Sequence, residues 1–490
     1  MTKAKKQRSC AGWVLAAVAV LGLAGCDYLD PTAVENPATT DEDLAASLEP
    51  TAALLPGLRA QYARAINPVD PECVSDNYQI RGTGIDKVFD DPRRITPDAT
   101  NRLGRSYSWL QELRALGDFV LDEIVPDDET ATDEQVGEAR YYRGMAYLLM
   151  AERFVAVPID TNGTPISSAA LLDLALGELA AAQSIAGTEF ANAATAALAR
   201  ANHLAGNAGA AQTAANAVLA ADPAYAFGVG YDPTTVTNGP YLFLYERTIK
   251  EMQPLPRLDF LDPKYTAREA PIYMHKAEEM HLILAEVAFS QGDWAGGRER
   301  IAQAVELSLS RPFESFDDND PRLNDDMSER PHDASIVIRA DDSSPYRAGL
   351  VLTRPGIVST PTVSYTSLDA DSIRAIAVGE TESLLHALFL ARQEMMMLEG
   401  RRMTDLGIKL PMGQDEINTN PNINEGDTGT SPFVPTMIPP QTEMDFFSPA
   451  SPYDVDGNLV ETEITCLHDM NRVLAQNWTT FGPVAAPPGN

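Results

Sequence analysis

The sequence predicts a mostly α-helical protein, a tetratricopeptide-like stack of helices with long loops and a few short strands. Apolar residues recur at helical spacing through most of the chain, whereas stretches with strand-like alternation are short. Predicted helices of similar length follow one another across short turns, which is typical of helical repeats. Aromatic residues make up only 7% of the chain, and alanine-rich segments predict close contacts between helices.

Each predicted helix has its own local signal. Thr132 and Gln135 have the spacing of a capping box, and Pro158 marks the end of that helix. The turn Gln291-Gly-Asp293 joins two helices into a hairpin. The predicted helices are residues 41–62, 103–124, 132–155, 167–186, 192–204, 208–221, 273–290, 294–308, 383–407 and 468–476.

The organisation predicted for the chain is a leader, a polar tether and a single helical domain with inserted loop regions. Residues 67–97 are a further irregular segment, rich in Pro, Gly and Asp, and long loops on a rigid scaffold often carry function. Two short strands are predicted at residues 335–339 and 348–353. The predicted bounds are 1–25 for the leader, 26–40 for the tether, 41–490 for the domain, and about 227–270, 311–367 and 411–467 for the inserted loops.

The first 26 residues have the pattern of a bacterial lipoprotein signal. A basic start is followed by an apolar run over residues 10–23, which is too short for a stable membrane-spanning helix. The run ends in Leu23-Ala-Gly-Cys26, a small-residue cleavage site before a cysteine. We therefore expect Cys26 to become the N-terminal residue and to carry the lipid that anchors the exported protein.

The charge balance argues against nucleic acid as a partner. The chain has 37 basic and 70 acidic residues, a formal net charge of −33. Binding to nucleic acid requires clustered Lys and Arg to displace counterions, and binding to anionic lipid surfaces has the same requirement. Membrane attachment is therefore expected only through the lipid on Cys26.

The cysteine count allows one disulfide. Once the leader is removed and Cys26 is acylated, only Cys73 and Cys466 remain. Outside the cytoplasm two such thiols can pair, and the alternative is two separate buried thiols. Both alternatives are open from the sequence.

No pattern for catalysis or for a cofactor is present in the sequence. The six histidines are scattered, and there is no Gly-x-Ser-x-Gly motif or phosphate-binding loop. Residues 317–320 and 324–326 supply oxygen atoms that could bind calcium, but Pro321 interrupts them and the turn glycine is missing. We therefore expect a solvated acidic loop there, no metal and no enzyme activity.

Six motifs, in order along the chain, resemble the SusD/RagB family of outer-membrane nutrient-binding lipoproteins. The third is the most specific, although Val155 replaces a glycine of the family pattern. In the second, Asp118 replaces an asparagine. The motifs are Cys26-Asp-Tyr-Leu-Asp-Pro31; Trp109-Leu110 with Gly117-Asp-Phe-Val-Leu121; Glu138-Ala-Arg-Tyr-Tyr-Arg-Gly-Met-Ala-Tyr147 with Phe154-Val-Ala-Val-Pro158; Ala277-Glu-Glu279 with Leu284-Ala-Glu-Val287; Arg392-Gln-Glu394 with Glu399-Gly-Arg-Arg-Met-Thr-Asp-Leu406; and Ile438-Pro-Pro-Gln-Thr-Glu443.

The resemblance implies a non-catalytic lipoprotein of the outer membrane that faces the cell exterior. Such a protein would capture an oligosaccharide or a peptide, with glycan favoured, and pass it to a SusC-like TonB-dependent outer-membrane channel. The competing hypothesis is a helical-repeat scaffold lipoprotein that binds no small ligand. A pocket of loop aromatic and amide side chains would favour the binder, and an extended concave groove would favour the scaffold.

Two sets of side chains are candidates for specific roles. Because an arginine on a packed helix commonly pairs with a carboxylate of another element, Arg143 is expected to pair with Glu399 or Asp405. Together with Arg402, these residues would form structural ion pairs that join the N-terminal and C-terminal parts.

The second set comprises candidate ligand contacts. Aromatic faces stack on sugar rings and amides satisfy sugar hydroxyls. Asn77 and Tyr78, adjacent in the irregular segment that contains Cys73, are the candidates from a loop. Trp109 is a third candidate, with the alternative that it packs in the core, because it lies on a helical stripe.

Overall fold

The structure is a computed structural model of the 490-residue chain. It describes residues 49–80, 85–102, 105–245, 252–265, 267–318, 330–440 and 447–484. The predicted leader, Cys26 and the predicted tether lie outside these residues, as does most of the acidic run 317–326.

The described residues contain fifteen α-helices, named α1 to α15 in chain order, so the mostly helical fold class is confirmed. They are α1 Pro50–Ala65, α2 Val69–Val74, α3 Pro97–Thr100, α4 Ser106–Asp118, α5 Asp133–Arg153, α6 Ser168–Ile185, α7 Thr188–Leu204, α8 Ala208–Ala221, α9 Ala277–Ser290, α10 Trp294–Leu309, α11 Ala370–Ala375, α12 Thr381–Met395, α13 Arg402–Asp405, α14 Gln414–Thr419 and α15 Met470–Phe481.

Local sequence explains where the long helices begin. The predicted capping box of α5 is present: the Gln135 amide donates to Thr132 Oγ1 at 3.3 Å, and the Thr132 amide donates to Gln135 Oε1 at 2.9 Å. Asp133 adds a negative charge in the first turn, which the helix dipole favours. These contacts satisfy backbone donors that the first turn of a helix leaves without partners.

Consecutive helices from α4 to α10 pack against one another, which is the tetratricopeptide-like stack that the sequence predicts. Helix α6 shows how small residues permit close packing of neighbouring helices. Its buried positions lie one or nearly one turn apart, and alanine alternates with leucine among them: Leu171, Ala175, Leu179 and Ala182. At the end of α6, a Cβ on Gly137 of α5 would lie 2.4 Å from the Ala186 Cα. Helices α5 and α6 therefore approach too closely for any side chain at that point.

Helix α6 is also the only described helix that is long and apolar enough to cross a membrane by length and composition alone. One helix of this kind is a weak indication of a membrane span. In the structure α6 packs between α5 and α7.

The strands are short and form small separate sheets. In the described part of the chain, four two-stranded antiparallel pairs (β1–β5, β2–β3, β4–β6 and β7–β9) accompany one three-stranded sheet, in which β11 pairs with β10 antiparallel and with β8 parallel. The strands are β1 Tyr78–Ile80, β2 Ala156–Val157, β3 Ile166–Ser167, β4 Ala226–Val229, β5 Met252–Pro254, β6 Ile272–Lys276, β7 Phe313–Asp317, β8 Val337–Arg339, β9 Ile357–Pro361, β10 Phe447–Ser448 and β11 Glu463–Cys466.

Three predicted elements differ from the structure. Residues 273–276, predicted as the start of a helix, belong to strand β6, which pairs with β4, and helix α9 begins only at Ala277. Residues 348–353 do not form a strand, because Leu350 O accepts from the Phe260 amide and the Leu352 amide donates to Asp259 Oδ2 instead of to a neighbouring strand. The predicted helix 383–407 is broken after Met395, where Leu398 (φ 64°) and Gly400 (φ 72°) adopt left-handed backbone conformations. This break turns the segment 396–401 back into the core.

Candidate functional site

The main candidate site is a cavity of about 590 Å³, which we call the loop cavity. Its walls are residues 338–350, helix α11, one face of helix α12 and the start of helix α15. Its volume is within the range of pockets that enclose small ligands. The loop cavity therefore forms where residues 338–350 meet the C-terminal helices.

Aliphatic side chains form much of the wall of the loop cavity. Its lining contains no Trp, Tyr or Phe and no Asn or Gln among the described residues. The aliphatic members are Ile338, Leu350, Leu368, Ile373, Ile376 and Leu390.

A hydrogen-bonded His–Asp pair lines the loop cavity. Asp469 is the N-cap of α15, and its Oδ2 lies 2.6 Å from Nε2 of His386 on α12. Burial alone would raise the pKa of Asp469, but the hydrogen bond and charge of His386 hold that pKa well below its usual range. The ionised Asp469 accepts a hydrogen bond from Nε2–H, so Nδ1 is the ring nitrogen that remains for other contacts.

Two arginines hold the loop on the other side of the cavity. Arg472 on α15 donates through Nε to Asp341 Oδ2 at 3.0 Å and through Nη2 to Ser344 Oγ at 3.1 Å. Arg347 donates through Nη2 to the carbonyl and hydroxyl oxygens of Ser367 at 2.8 and 2.7 Å. These bonds fix the cavity wall at both ends of the loop.

Beneath the cavity, Arg257 is held by a buried polar network. Its Nη2 donates to Gln393 Oε1 at 2.6 Å, and Asn471 Nδ2 donates to the same oxygen at 2.9 Å. Gln393 in turn donates to Asp76 at 3.0 Å and to Asn77 at 2.9 Å. The network connects the cavity floor to the N-terminal part of the chain.

The structure corrects the interpretation of Asn77 and Tyr78 as ligand contacts. Asn77 is fully buried and donates to Glu72 Oε2 at 2.7 Å. Tyr78 is 1% exposed, and its hydroxyl donates to Asp262 Oδ1 at 2.8 Å. Asn77 lies behind the floor of the loop cavity, bonded to Gln393, so both residues support the interior and present no surface to a ligand.

Trp109 is half-buried and packs against the main hydrophobic core. It also lines a separate cavity of about 190 Å³, together with residues 235–237. This small cavity has no lining residue in common with the loop cavity. The structure therefore does not bring Trp109 together with Asn77 and Tyr78 in one ligand site.

The four residues predicted to form structural ion pairs all do so, with partners other than those expected. Arg143 pairs with Asp118, Asp122 and Glu178 within the N-terminal helices, not with Glu399 or Asp405. This is because α6 and the end of α4 lie directly beside Arg143 on α5.

The other three residues pair across the core. Glu399 Oε1 lies 2.5 Å from Lys264 Nζ and 2.7 Å from Lys276 Nζ, and Asp405 Oδ1 lies 2.5 Å from Arg392 Nη2. Arg402 pairs with Asp76, 326 residues away. Of the four predicted residues, Arg402 is thus the one that links the N-terminal and C-terminal parts of the domain.

Of the two alternatives for the cysteines, the structure has the separate buried thiols. Cys73 and Cys466 are both buried, and no disulfide joins them.

The predicted solvated acidic loop is only partly described. Asp318, at its edge, is fully buried and accepts a hydrogen bond from Arg354 Nε at 2.8 Å, while residues 319–329 lie outside the described part. No group of three or more His, Cys, Asp or Glu side chains in the described residues is arranged to bind a metal.

The residues of the loop cavity carried one signal in the sequence. Glu382, His386, Leu390 and Glu394 recur every fourth residue, so they share one face of α12. Polar residues on a strongly apolar helix indicate either a solvated face or a polar cavity. Only the structure distinguishes the two, because the facing wall comes from residues 338–350 and 469–472.

This architecture is shared with solved structures. A SusD superfamily protein from Bacteroides fragilis superposes with a TM-score of 0.50 at 14% sequence identity, over 76% of this chain and 98% of that one. The chain has a SusD-like fold. The resemblance to SusD/RagB proteins that the motifs indicate is thereby confirmed at the level of the fold.

Other SusD-like structures are also similar to the chain. A SusD superfamily protein from Bacteroides thetaiotaomicron has a TM-score of 0.45 at 15% identity, over 79% of this chain and 98% of that one. A SusD-like carbohydrate binding protein from Bacteroides vulgatus has a TM-score of 0.44 at 14% identity, over 73% and 82%. No protein-family model matches the sequence, and no curated protein matches it.

Proposed function

We propose that this SusD-like protein is a lipid-anchored nutrient binder of the outer membrane, a divergent relative of the SusD/RagB lipoproteins. It captures its ligand at the cell surface in the loop cavity and delivers it to a SusC-like TonB-dependent channel. The observation that carries the proposal is a cavity of about 590 Å³ built by inserted segments on a SusD-like helical stack. The lipoprotein signal ending in Cys26 supports the anchor.

The shape of the loop cavity favours a binder over a scaffold, although its described lining lacks the aromatic and amide side chains expected of a binding pocket. A scaffold would be expected to use an extended concave groove along its repeats. The loop cavity is instead a local recess at one place in the fold, with polar groups on an aliphatic wall. This combination is typical of pockets that bind small molecules.

A binding experiment tests the ligand site. Isothermal calorimetry against a panel of oligosaccharides and peptides should identify a ligand. Ser372 is exposed and lines the loop cavity, so Ser372→Trp should obstruct the cavity and abolish that binding. Ser184→Trp, on an exposed position of α6, is the matched control and should bind normally. Equal binding by both variants would place the ligand elsewhere.

Product analysis tests the absence of turnover. The His386–Asp469 pair resembles a general base, and Ser383 lines the same cavity one turn earlier on α12. We propose that these groups bind and do not catalyse. Ligand recovered unchanged after long incubation supports this, and cleavage that Ser383→Ala and His386→Ala abolish would overturn it.

Fractionation tests the anchor and the partner. The Cys26→Ser protein should leave the membrane fraction or keep its leader, since no other residue is expected to carry lipid. A TonB-dependent channel should co-purify with the lipidated protein from detergent-solubilised outer membranes. Normal leader cleavage with unchanged membrane retention would contradict the lipid anchor.

A further inference from the structure

We propose that the loop cavity selects the C-terminal end of a short peptide, with the carboxylate on its arginines and an aliphatic last side chain against its wall. This inference rests on the proposed function and names the ligand class of the same site. The inference follows from two observations. Some polar groups of the cavity are already hydrogen-bonded within the protein while others are not, and the apolar part of the wall is aliphatic.

The cavity's buried carboxylates are saturated by protein donors. Glu394 accepts from the Thr366 hydroxyl at 2.6 Å, the Ser367 amide at 2.8 Å and the Ser367 hydroxyl at 2.6 Å. Asp469 accepts from His386 and from the Asn471 amide. A ligand whose recognition depends on donating hydrogen bonds to carboxylates would have to displace these partners.

The arginines, in contrast, have donors to spare. Arg347 is half-buried, bonds only through Nη2 to Ser367, and forms no ion pair with any described residue. Arg472 uses Nε and Nη2, which leaves Nη1 without a hydrogen bond to the described residues. A guanidinium offers five N–H donors in a plane and binds carboxylates in a two-point arrangement. The polar part of the cavity is thus suited to an anion.

Selection of an anion here runs against the overall charge of the chain, which is −33. Such a chain repels anions at long range, so an anion binds only where local donors outweigh the overall field. Nδ1 of His386 is a further group that donates when the imidazole is protonated. Arg347, Arg472 and His386 all line the same cavity.

The apolar part of the wall favours an aliphatic group over a sugar ring. Sugars are held by stacking on aromatic faces, and the described lining offers none. Ile338, Leu350, Ile373 and Leu390 offer a branched aliphatic surface instead. A carboxylate directly beside an aliphatic side chain is the chemistry of a peptide that ends in Leu, Ile or Val.

Calorimetry with matched probes tests the proposal. The probes are acetyl-Ala-Ala-Leu with a free carboxylate, the same peptide as its C-terminal amide, acetyl-Ala-Ala-Ser, and a glucuronate trisaccharide. We expect the free acid to bind, the amide and the serine peptide to bind about tenfold or more weakly, and the trisaccharide not to compete. Arg347→Met and Arg472→Met should each reduce binding of the free acid by a similar factor.

Arg374→Met is the matched control. Arg374 lies on the same short helix as Ile373 but pairs with Glu299 and Glu306, away from the cavity. It should bind the free acid normally, and melting curves of all three variants report whether they fold. Equal binding of acid and amide, or binding of the glucuronate trisaccharide that Arg347→Met abolishes, overturns the proposal.

Failure of this proposal is distinguishable from failure of the proposed function. If a neutral oligosaccharide binds and Ser372→Trp blocks it, the cavity is a nutrient site but the peptide assignment is wrong. If no glycan or peptide in the panel binds to the folded protein, the nutrient-binding function itself fails.

Discussion

Asp76 and Arg402 form a two-point ion pair at the centre of the protein, 326 residues apart in the chain. Arg402 Nε lies 2.5 Å from Asp76 Oδ1, and Nη2 lies 2.7 Å from Oδ2. Each side chain is 1% exposed. Burial alone would raise the pKa of Asp76, but the Arg402 charge and hydrogen bonds hold that pKa below its usual range. The pair connects the end of α2 to the start of α13.

Removing one partner of this pair should strongly destabilise the fold. Arg402→Met leaves the Asp76 carboxylate buried with its main counterion gone, and should lower the free energy of unfolding by about 3–5 kcal/mol. Denaturant unfolding followed by circular dichroism measures the change. Arg374→Met removes a solvent-screened cation at the surface and should change the free energy of unfolding far less. Equal losses for both variants would contradict the central role of the buried pair.

The protein should lose stability as the pH falls from 6.5 to 5, in part through His275. Its side chain is fully buried and 3.0 Å from the Tyr141 hydroxyl, and burial lowers its pKa to about 3, from 6.5. Between these values only the unfolded chain takes up the proton, so acid favours unfolding. Burial also lowers the pKa of His281, to about 4. Each histidine that is protonated only in the unfolded chain lowers the free energy of unfolding by up to about 1.4 kcal/mol per pH unit.

The contribution of His275 can be isolated by comparison with a variant. Carboxylates with lowered pKa values, such as Glu286 at about 2, affect stability only below about pH 4.5. Burial raises the pKa of Glu72, so the contribution of Glu72 to stability changes in the opposite direction as the pH falls. Since these groups are common to both proteins, His275→Gln should show a shallower fall in melting temperature between pH 6.5 and 5. An identical slope would mean that His275 is protonated in the fold.

Replacement by alanine should change the stability of the protein in opposite directions at two glycines on neighbouring helices. A Cβ at Gly137 would lie 2.4 Å from the Ala186 Cα, so Gly137→Ala should force α5 and α6 apart at a cost of about 1–3 kcal/mol. Gly177 on α6 is exposed, and a methyl group added there would meet no neighbouring group within 4 Å. Gly177→Ala should therefore stabilise by about 0.5–1 kcal/mol. Thermal melts of both variants decide this, and destabilisation by Gly177→Ala would be contrary to expectation.

The two cysteines of the domain should remain thiols in the exported protein. Both are buried, and burial raises the pKa of Cys466 to about 12, which suppresses the reactive thiolate. In the Cys26→Ser protein without its leader, we expect two thiols to react with a thiol reagent after denaturation and none before. A Cys73–Cys466 disulfide in non-reducing peptide mapping would refute this prediction.

Features that depend on local sequence could be predicted. The N-terminus of α5 is set by Thr132 and Gln135, which contact each other within one turn. The break in the helix predicted at residues 383–407 could not be predicted, because nothing in the local sequence requires it. Leu398 adopts a left-handed conformation that a leucine rarely takes, and Glu399 beside it is held by Lys264 and Lys276 from elsewhere in the fold.

The site could not be predicted from local sequence for a related reason. A segment rich in Pro, Gly and Asp normally indicates a surface loop, which suggested Asn77 and Tyr78 as ligand contacts. The structure buries them, because β5 pairs with β1 and Asp262 accepts the Tyr78 hydroxyl. The loop cavity itself combines residues from Arg257 to Arg472, and only the tertiary arrangement brings these together.

The sequence separation between Asp76 and Arg402 also affects when the N-terminal helices can fold during synthesis. A nascent chain that has reached the end of α5 already contains Asp76, but most of the chain before Arg402 is still to be synthesised. Burying that carboxylate without its cation costs several kcal/mol, so the N-terminal helices gain little by closing early. Chains that stop before Arg402 should therefore be more sensitive to proteases than chains that include it.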